Sequence, residues 1–401
     1  MTAMRPPGNF ARYAAHYGVF YLVFGAILPY IPVWLEERSL SPEAIGIAVA
    51  GGMIGRSILS PLGASVLDRS SRRKRLLTIF AFASLGVFAL LFPGWPAVIT
   101  IALTALATAL NGAQIPLLDA VAIRAAMRTG FGFGPVRAFG SAAFVIANVG
   151  AGALVAQFGG EAALVWIVAG SMLVLVSLQG LPGATMENRG ASPPARWRIR
   201  ELMTPGFILA VLSVALIQGA HGFQYSFSTL AWRAQGIPTG TVGLLWGWAV
   251  VAEIVFLFVN ARLLVRWSPA ALIASGAAFS VVRWAIFATA PPVWVLFALQ
   301  TTHAFTFTAT YIGFIRYCAD RVPDHYAASA QAINSALSGG VVLAGATVVS
   351  GLLYERYGAG GYAAMIVPAA LGGLLAAFLW RTLRSPNAGE SHRTVRQGDV
   401  E

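Results

Sequence analysis

The chain is 401 residues long, 57% hydrophobic and only 10% charged, with a formal net charge of +12 and a mean hydropathy of +0.72. Soluble domains carry about 25% charged residues, so a globule of this size would leave apolar side chains crowding its surface. That excludes an ordinary soluble enzyme and a disordered chain, and it leaves a membrane protein.

Apolar runs of about 20 residues, the length that crosses a hydrocarbon layer about 30 Å thick, recur from one end to the other. They fall at 12–35, 43–66, 76–93, 97–123, 136–158, 162–181, 205–231, 241–265, 270–290, 294–318, 328–355 and 362–384. These runs are too long for barrel strands, which alternate over about ten residues. The 43 glycines suit close helix–helix contact in lipid. The first run lacks a cleavage-site pattern and reads as a span, not a removed signal peptide. The expectation is an all-α membrane protein with twelve transmembrane helices in two six-helix halves, 1–181 and 205–384. The segment 182–204, with Pro193, Pro194, Arg189 and Arg196, reads as a cytoplasmic linker, and the polar tail 385–401 is expected to be disordered.

Lys and Arg cluster on one side of these spans, as in Arg69, Arg72, Arg73, Lys74 and Arg75 after span 2 and Arg124 and Arg128 after span 4. The other side holds only Arg38, Arg233 and Arg356. Such an asymmetry places both termini in the cytoplasm. The net positive charge therefore describes orientation, and no nucleic-acid partner is expected. A lone Cys318 excludes an internal disulfide and a multi-cysteine metal site, and the five histidines lack metal-ligand spacing. Neither a metal nor another cofactor is expected.

Charges inside the spans are the functional candidates, since one at the bilayer centre costs at least about 2.5–3.5 kcal/mol. They are Arg56 on span 2, Asp119 on span 4, Glu253 on span 8 and Arg283 on span 9, with Arg137 opening span 5. His221 and His303 lie mid-span on spans 7 and 10. Helical spacing groups polar and aromatic residues into stripes: Gln218, His221 and Tyr225; Arg137, Ser141, Phe144 and Asn148; Gln331, Asn334 and Ser338; and Gln300, His303 and Phe307. Several such stripes are what a water-filled substrate cavity requires. A structural interhelical hydrogen bond accounts for a lone histidine as readily, and Asp119 with a nearby arginine also reads as a structural pair. Trp246 and Trp248 lie deep and fit either a cavity wall or lipid-facing packing.

The two halves echo one another. Leu40-Ser41-Pro42 with Ile45-Gly46-Ile47 is matched by Ile237-Pro238-Thr239 with Val242-Gly243-Leu244, and the same offset carries Arg56 onto Glu253. Parallel duplication with a mid-membrane site resembles the major facilitator architecture. The run Asp68-Arg69-Ser70-Ser71-Arg72-Arg73-Lys74 resembles that superfamily's signature loop, although Ala64 and Ser71 replace its glycines. The resemblance implies a gating role for Asp68, Arg69, Arg72 and Arg73.

A narrower resemblance is to the 3-phenylpropionate transporter family. Pro116-Leu117-Leu118-Asp119-Ala120, Phe133-Gly134-Pro135-Val136-Arg137, Gln218-Gly219-Ala220-His221-Gly222, the run Val242 to Glu253, and Val282-Arg283-Trp284 carry it. It implies a proton-linked importer of aromatic acids in the inner (plasma) membrane. The skeleton is also similar to the lactose permease family. That resemblance implies substrate binding by Asp119, Arg137 and Glu253, and proton coupling by Arg283 and His303. Where that family carries its proton on a glutamate three residues after the histidine, this sequence has Thr306. Proton carriage is therefore expected on Glu253, with His303 or His221 as second choices.

The resulting expectation is alternating access. Arg137, with Arg56 or Arg283, holds a substrate carboxylate. Tyr225, Trp246 and Phe144 face its ring, while Asn148, Gln218 and Asp119 complete the site. The partners are a small-molecule substrate, protons and the lipid bilayer, and the protein is expected to function as a monomer. Rival readings are a sugar or nucleoside proton symporter, a drug exporter, and a non-transporting membrane receptor or scaffold. No nucleophile–base set points to an enzyme.

Overall fold

The structure, a computed structural model, describes residues 8–69, 73–183, 199–259, 264, 266–323 and 326–384. Every regular element among them is helical. A first group comprises α1 (Gly8–Glu37), α2 (Pro42–Arg69), α3 (Arg73–Ala89), α4 (Ala97–Thr129), α5 (Phe133–Phe158) and α6 (Glu161–Gln179). After a single turn at Ile199–Leu202 come α7 (Pro205–Gly219), α8 (Gly222–Ala234), α9 (Thr239–Val259) and α10 (Pro269–Phe287). The second group continues with α11 (Val293–Thr301), α12 (Thr310–Arg321), α13 (Ala327–Ala336), α14 (Leu343–Tyr357) and α15 (Ile366–Arg384).

Nine stretches of the described residues are long and apolar enough to cross a membrane. Ser329–Arg384 counts among them once although it has 56 residues, far longer than a bilayer needs. Arg73–Ala89, with 17 residues, and the interrupted run from Val293 to Arg321 are not among the nine.

Helix ends follow local chemistry. Pro205 and Pro269 start α7 and α10 behind Thr204 and Ser268, whose hydroxyls each accept a backbone N–H at 3.2 Å. α4 runs beyond the apolar segment 97–123, and Arg124 and Arg128 complement the negative end of its dipole. It stops where Gly130 takes φ +76° and donates to the Ala126 carbonyl.

Three interruptions share the second group. α7 gives way to α8 at His221, a π-helical turn at Ala304–Ala309 separates α11 from α12, and another at Leu337–Val342 separates α13 from α14. Such turns open the regular hydrogen-bond ladder and are frequent at functional positions. All the helices of the first group run unbroken.

The groups meet along α5–α9, α2–α14 and α1–α8. Backbones touch at one end of the bundle. A Cβ on Gly351 would lie 2.7 Å from the Pro42 carbonyl oxygen, and one on Gly243 would overlap that of Asn148. Arg233 reaches Glu37 at 3.4 Å and Glu36 at 3.8 Å across the same seam. Glu37 also accepts the Gly160 N–H at 2.5 Å, which ties it to the start of α6.

The expected gating run falls largely outside this description: Arg72 and the side chains of Asp68 and Arg69 lie outside the described residues. Arg73 is buried and its Nε donates to the Leu67 carbonyl at 3.2 Å. Lys74 donates to the Gln179 and Leu181 carbonyls at 2.6 and 2.9 Å, fastening the start of α3 to the end of α6. Most of the expected linker, 184–198, and the tail 385–401 also lie outside the described residues.

Candidate functional site

Where the groups part, they enclose a cavity of about 650 Å³. It is lined from the first group by residues including Tyr21, Arg56, Arg137 and Phe144, and from the second by Gln218, Tyr225, Trp246, Glu253 and His303. Trp246 and Gln224 at its walls are buried, whereas the Arg137 side chain is 44% exposed. The cavity therefore opens toward the end of the bundle where α5 begins, opposite the sealed seam.

Three clusters of polar groups surround it. The first joins α1, α4 and α5. Arg137 Nη1 donates to both Asp119 oxygens, at 2.9 and 3.0 Å, and the Tyr17 hydroxyl donates to Asp119 Oδ1 at 2.7 Å. The guanidinium lies over the Tyr21 ring, 5.6 Å from its centroid. Asp119 is thus held by a charge-assisted pair and a phenol together.

The second cluster is a continuous chain inside the second group. Arg283 is fully buried. Its Nη1 lies 3.0 Å from His303 Nδ1 and 3.1 Å from Thr306 Oγ1, and its Nη2 donates to Gln300 Oε1. A guanidinium only donates, so His303 accepts at Nδ1 and carries its proton on Nε2. That Nε2 lies 3.0 Å from Glu253 Oε1. His221 closes the other end of the chain. Its Nδ1 faces the Gln218 and Ile217 carbonyls at 3.1 and 3.2 Å and so carries the proton. Its Nε2 takes the Thr306 hydroxyl at 3.0 Å. The order is Glu253, His303, Arg283, Thr306, His221. Glu253 and His303 line the cavity; Arg283 and His221 stand behind them.

The third cluster is Arg56, which lines the cavity and donates from Nη2 to the Gly339 carbonyl at 3.2 Å. The repeat makes Arg56 and Glu253 equivalent, but they do not pair. Glu253 meets His303, and Arg56 meets backbone of the opposite group.

Aromatic surface faces these charges. Tyr225 lies 6.3 Å from Trp246, whose indole N–H is held by Thr229 at 2.9 Å. Phe307 stacks on His303 at 5.4 Å, and Phe144 sits 6.0 Å from Phe24. Gln218 donates to the Phe307 carbonyl within the π-turn at 3.1 Å. Asn148 is placed elsewhere: it is fully buried, donates to the Phe144 carbonyl, and receives the Tyr30 hydroxyl on its own carbonyl, against α9. Its stripe neighbours face the cavity, and it faces the seam. Trp248 lies outside the cavity, with its N–H on Thr301. Trp284 is buried under Arg283, 4.9 Å from its guanidinium.

Sequence reading passed over Tyr17 as a partner of Asp119. It also treated Thr306 only as a missing acid, although the hydroxyl bridges Arg283 and His221. Gln224, which donates to Gln300 at 3.0 Å, was likewise missed. The i, i+4 spacing of Tyr13, Tyr17 and Tyr21 was the available signal for the first.

The sequence profile of the MFS_1 like family matches residues 10–362. The chain belongs to that family. It is 31% identical over 355 residues to the probable 3-phenylpropionic acid transporter of Escherichia coli (strain K12), covering 86% of this chain and 92% of that protein. It is 26% identical over 347 residues to the maltose permease of Geobacillus stearothermophilus, covering 85% and 86% of the two chains. The fold is similar to that of the nucleoside transporter NupG, with TM-score 0.75 and 15% identity over 94% of this chain and all of the other. It is also similar to a bacterial homologue of the human lysosomal transporter Spinster in an inward-facing, unoccupied conformation. That match has TM-score 0.71 and 13% identity, over 95% of this chain and all of the other. The family member described here is a multi-pass membrane transporter of the major facilitator type, not an enzyme.

Proposed function

We propose that the chain imports a small monovalent organic anion, of the aromatic-acid class, together with a proton. In this reading twelve spans form two halves, 1–181 and 205–384, in the inner membrane, with linker, tail and both termini in the cytoplasm. Twelve follows from the nine long stretches by adding Arg73–Ala89 and the run from Val293 to Arg321, and by dividing Ser329–Arg384 at Gly358. The Lys/Arg distribution then makes the sealed seam the outer face, and the cavity opens to the cytoplasm. The halves rock about the central site as one monomer, with Asp68, Arg69, Arg72 and Arg73 serving the inner gate.

The observation that carries this reading is one cavity in which arginine charge, aromatic walls and the Glu253–His303 pair face a common space. The cavity arginines and Arg283 outnumber Asp119 and Glu253 by one, which suits a monovalent anion and disfavours a cationic drug. Glu253 serves as the proton carrier. When it is protonated it no longer offsets Arg283, and the cavity becomes more attractive to an anion. A bound anion in turn favours the protonated acid, and this coupling is reciprocal. The 31% identical relative, a probable 3-phenylpropionic acid transporter, supports the ligand class.

Proteoliposome uptake of 3-phenylpropionate, benzoate, maltose and a nucleoside, each with and without an inward proton gradient, tests the reading. Gradient-driven uptake of the acids alone is expected. Sugar or nucleoside uptake without acid uptake would overturn it.

A further inference from the structure

The cavity presents more than one arginine, and their surroundings differ. Arg137 already gives Nη1 to both oxygens of Asp119. Arg283 is enclosed behind His303, Thr306 and Gln300 and does not line the cavity. Arg56 lines it and, among the described residues, meets no carboxylate and makes one hydrogen bond, to the Gly339 carbonyl.

Resting on the anion-import reading above, we infer that Arg56 is the carboxylate-docking group and that Arg137 is not. Two glycines seat the guanidinium. A Cβ on Gly112 of α4 would stand 2.7 Å from Arg56 Cδ, and one on Gly339 would stand 2.8 Å from Nη2. The side chain therefore threads between a helix of the first group and the π-turn Leu337–Val342 of the second. One Nη2 contact with Gly339 leaves most of the five guanidinium N–H donors for a ligand. Asn334 and Ser338 line the same wall. Because Ser338 donates to Asn334 Oδ1 at 2.9 Å, the Asn334 amide N–H groups remain donors. A carboxylate fits this set, and a single uncompensated cation sets its charge at one. The docking group also contacts backbone of the opposite group, so occupancy acts at the point where the two groups meet.

The test compares 3-phenylpropionate with its neutral amide in proteoliposome uptake by wild type, Arg56→Gln, Arg56→Lys, Gly112→Ala and Arg137→Gln, each checked for monodispersity. Loss of a charged hydrogen bond raises the acid's KM on the order of tenfold or more in Arg56→Gln, while the amide's KM stays within about twofold. Arg56→Lys recovers part of the loss. Gly112→Ala, which keeps the charge and displaces it, shifts the acid's KM in the same direction as Arg56→Gln. Arg137→Gln disturbs acid and amide together. A selective acid defect in Arg137→Gln with none in Arg56→Gln overturns the inference and leaves the import reading standing. Equal loss of acid and amide in Arg56→Gln also overturns it, reducing Arg56 to an interhelical tie. Failure of wild type to take up any carboxylate overturns the import reading, and the inference with it.

Discussion

Arg283 Nη1 donates to the Thr306 hydroxyl at 3.1 Å, at the position the lactose permease resemblance would fill with an acid. A buried guanidinium thus leans on a neutral partner, and its counter-charge is Glu253, one imidazole ring away through His303. In the proposed import reading, the proton is carried at the cavity wall, on Glu253, and not behind it. Because Thr306 also serves His221, a single hydroxyl holds the inner end of the chain together.

Thr306→Val keeps the volume and removes both contacts. Leaving a buried donor and a buried acceptor unsatisfied costs about 1–3 kcal/mol. The expected outcome is a lowered melting temperature in detergent, with acid uptake slowed but still driven by a proton gradient. Loss of gradient dependence alone would move the proton site to Thr306 and His221.

Glu253→Gln removes the proposed proton carrier and keeps a hydrogen-bonding group opposite His303 Nε2. Counterflow of preloaded acid should persist, while accumulation against a gradient should fall to equilibration. In wild type, uptake rises as the external face is acidified, and in Glu253→Gln that dependence should flatten. Parallel counterflow and accumulation assays across external pH read both effects.

Trp246→Leu removes aromatic surface beside Tyr225 and leaves Thr229 without its indole donor. An aromatic contact contributes about 0.5–1.5 kcal/mol beyond area burial. The KM for phenylpropionate should rise severalfold, whereas that of an aliphatic acid of similar length should change little. Equal losses for both acids would show that the indole shapes the cavity without meeting the ring.

Gly243→Leu forces a side chain against the Asn148 carbonyl at the sealed seam. That seam should open and the equilibrium shift toward the opposite state. In a Cys318→Ser background, since Cys318 is the sole cysteine, single cysteines placed near Thr241 and near Asn334 report it. The first should label faster and the second slower.

Particular residues show how far sequence reading reached. Glu253, Arg283 and His303 were legible because a charge or imidazole in a long apolar run stands out by its transfer cost. Asp119 inside span 4 and Arg137 at the start of span 5 were legible for the same reason, but not as each other's partner. Asn148 was grouped with Arg137, Ser141 and Phe144 because helical spacing reports angle around an axis. It does not report depth, or which neighbour covers that face. At its level α5 is pressed against α1 and α9, so the same stripe leaves the cavity and enters the seam. The repeat aligned Arg56 with Glu253, but equivalence by duplication sets position within each half and not the partner across it.

By itself, the sequence determined the membrane class and the succession of apolar spans, because chain segments in lipid must match bilayer thickness and satisfy their own backbone. It also singled out the few ionisable residues whose place in an apolar span carries a transfer cost. Only the tertiary structure decided who meets whom: Arg137 with Asp119, Glu253 with His303, Thr306 between Arg283 and His221, and Arg56 seated between Gly112 and Gly339. Those contacts join residues far apart in the chain, at distances where an ångström decides between a hydrogen bond and none. Apolar patterning carries no information at that scale.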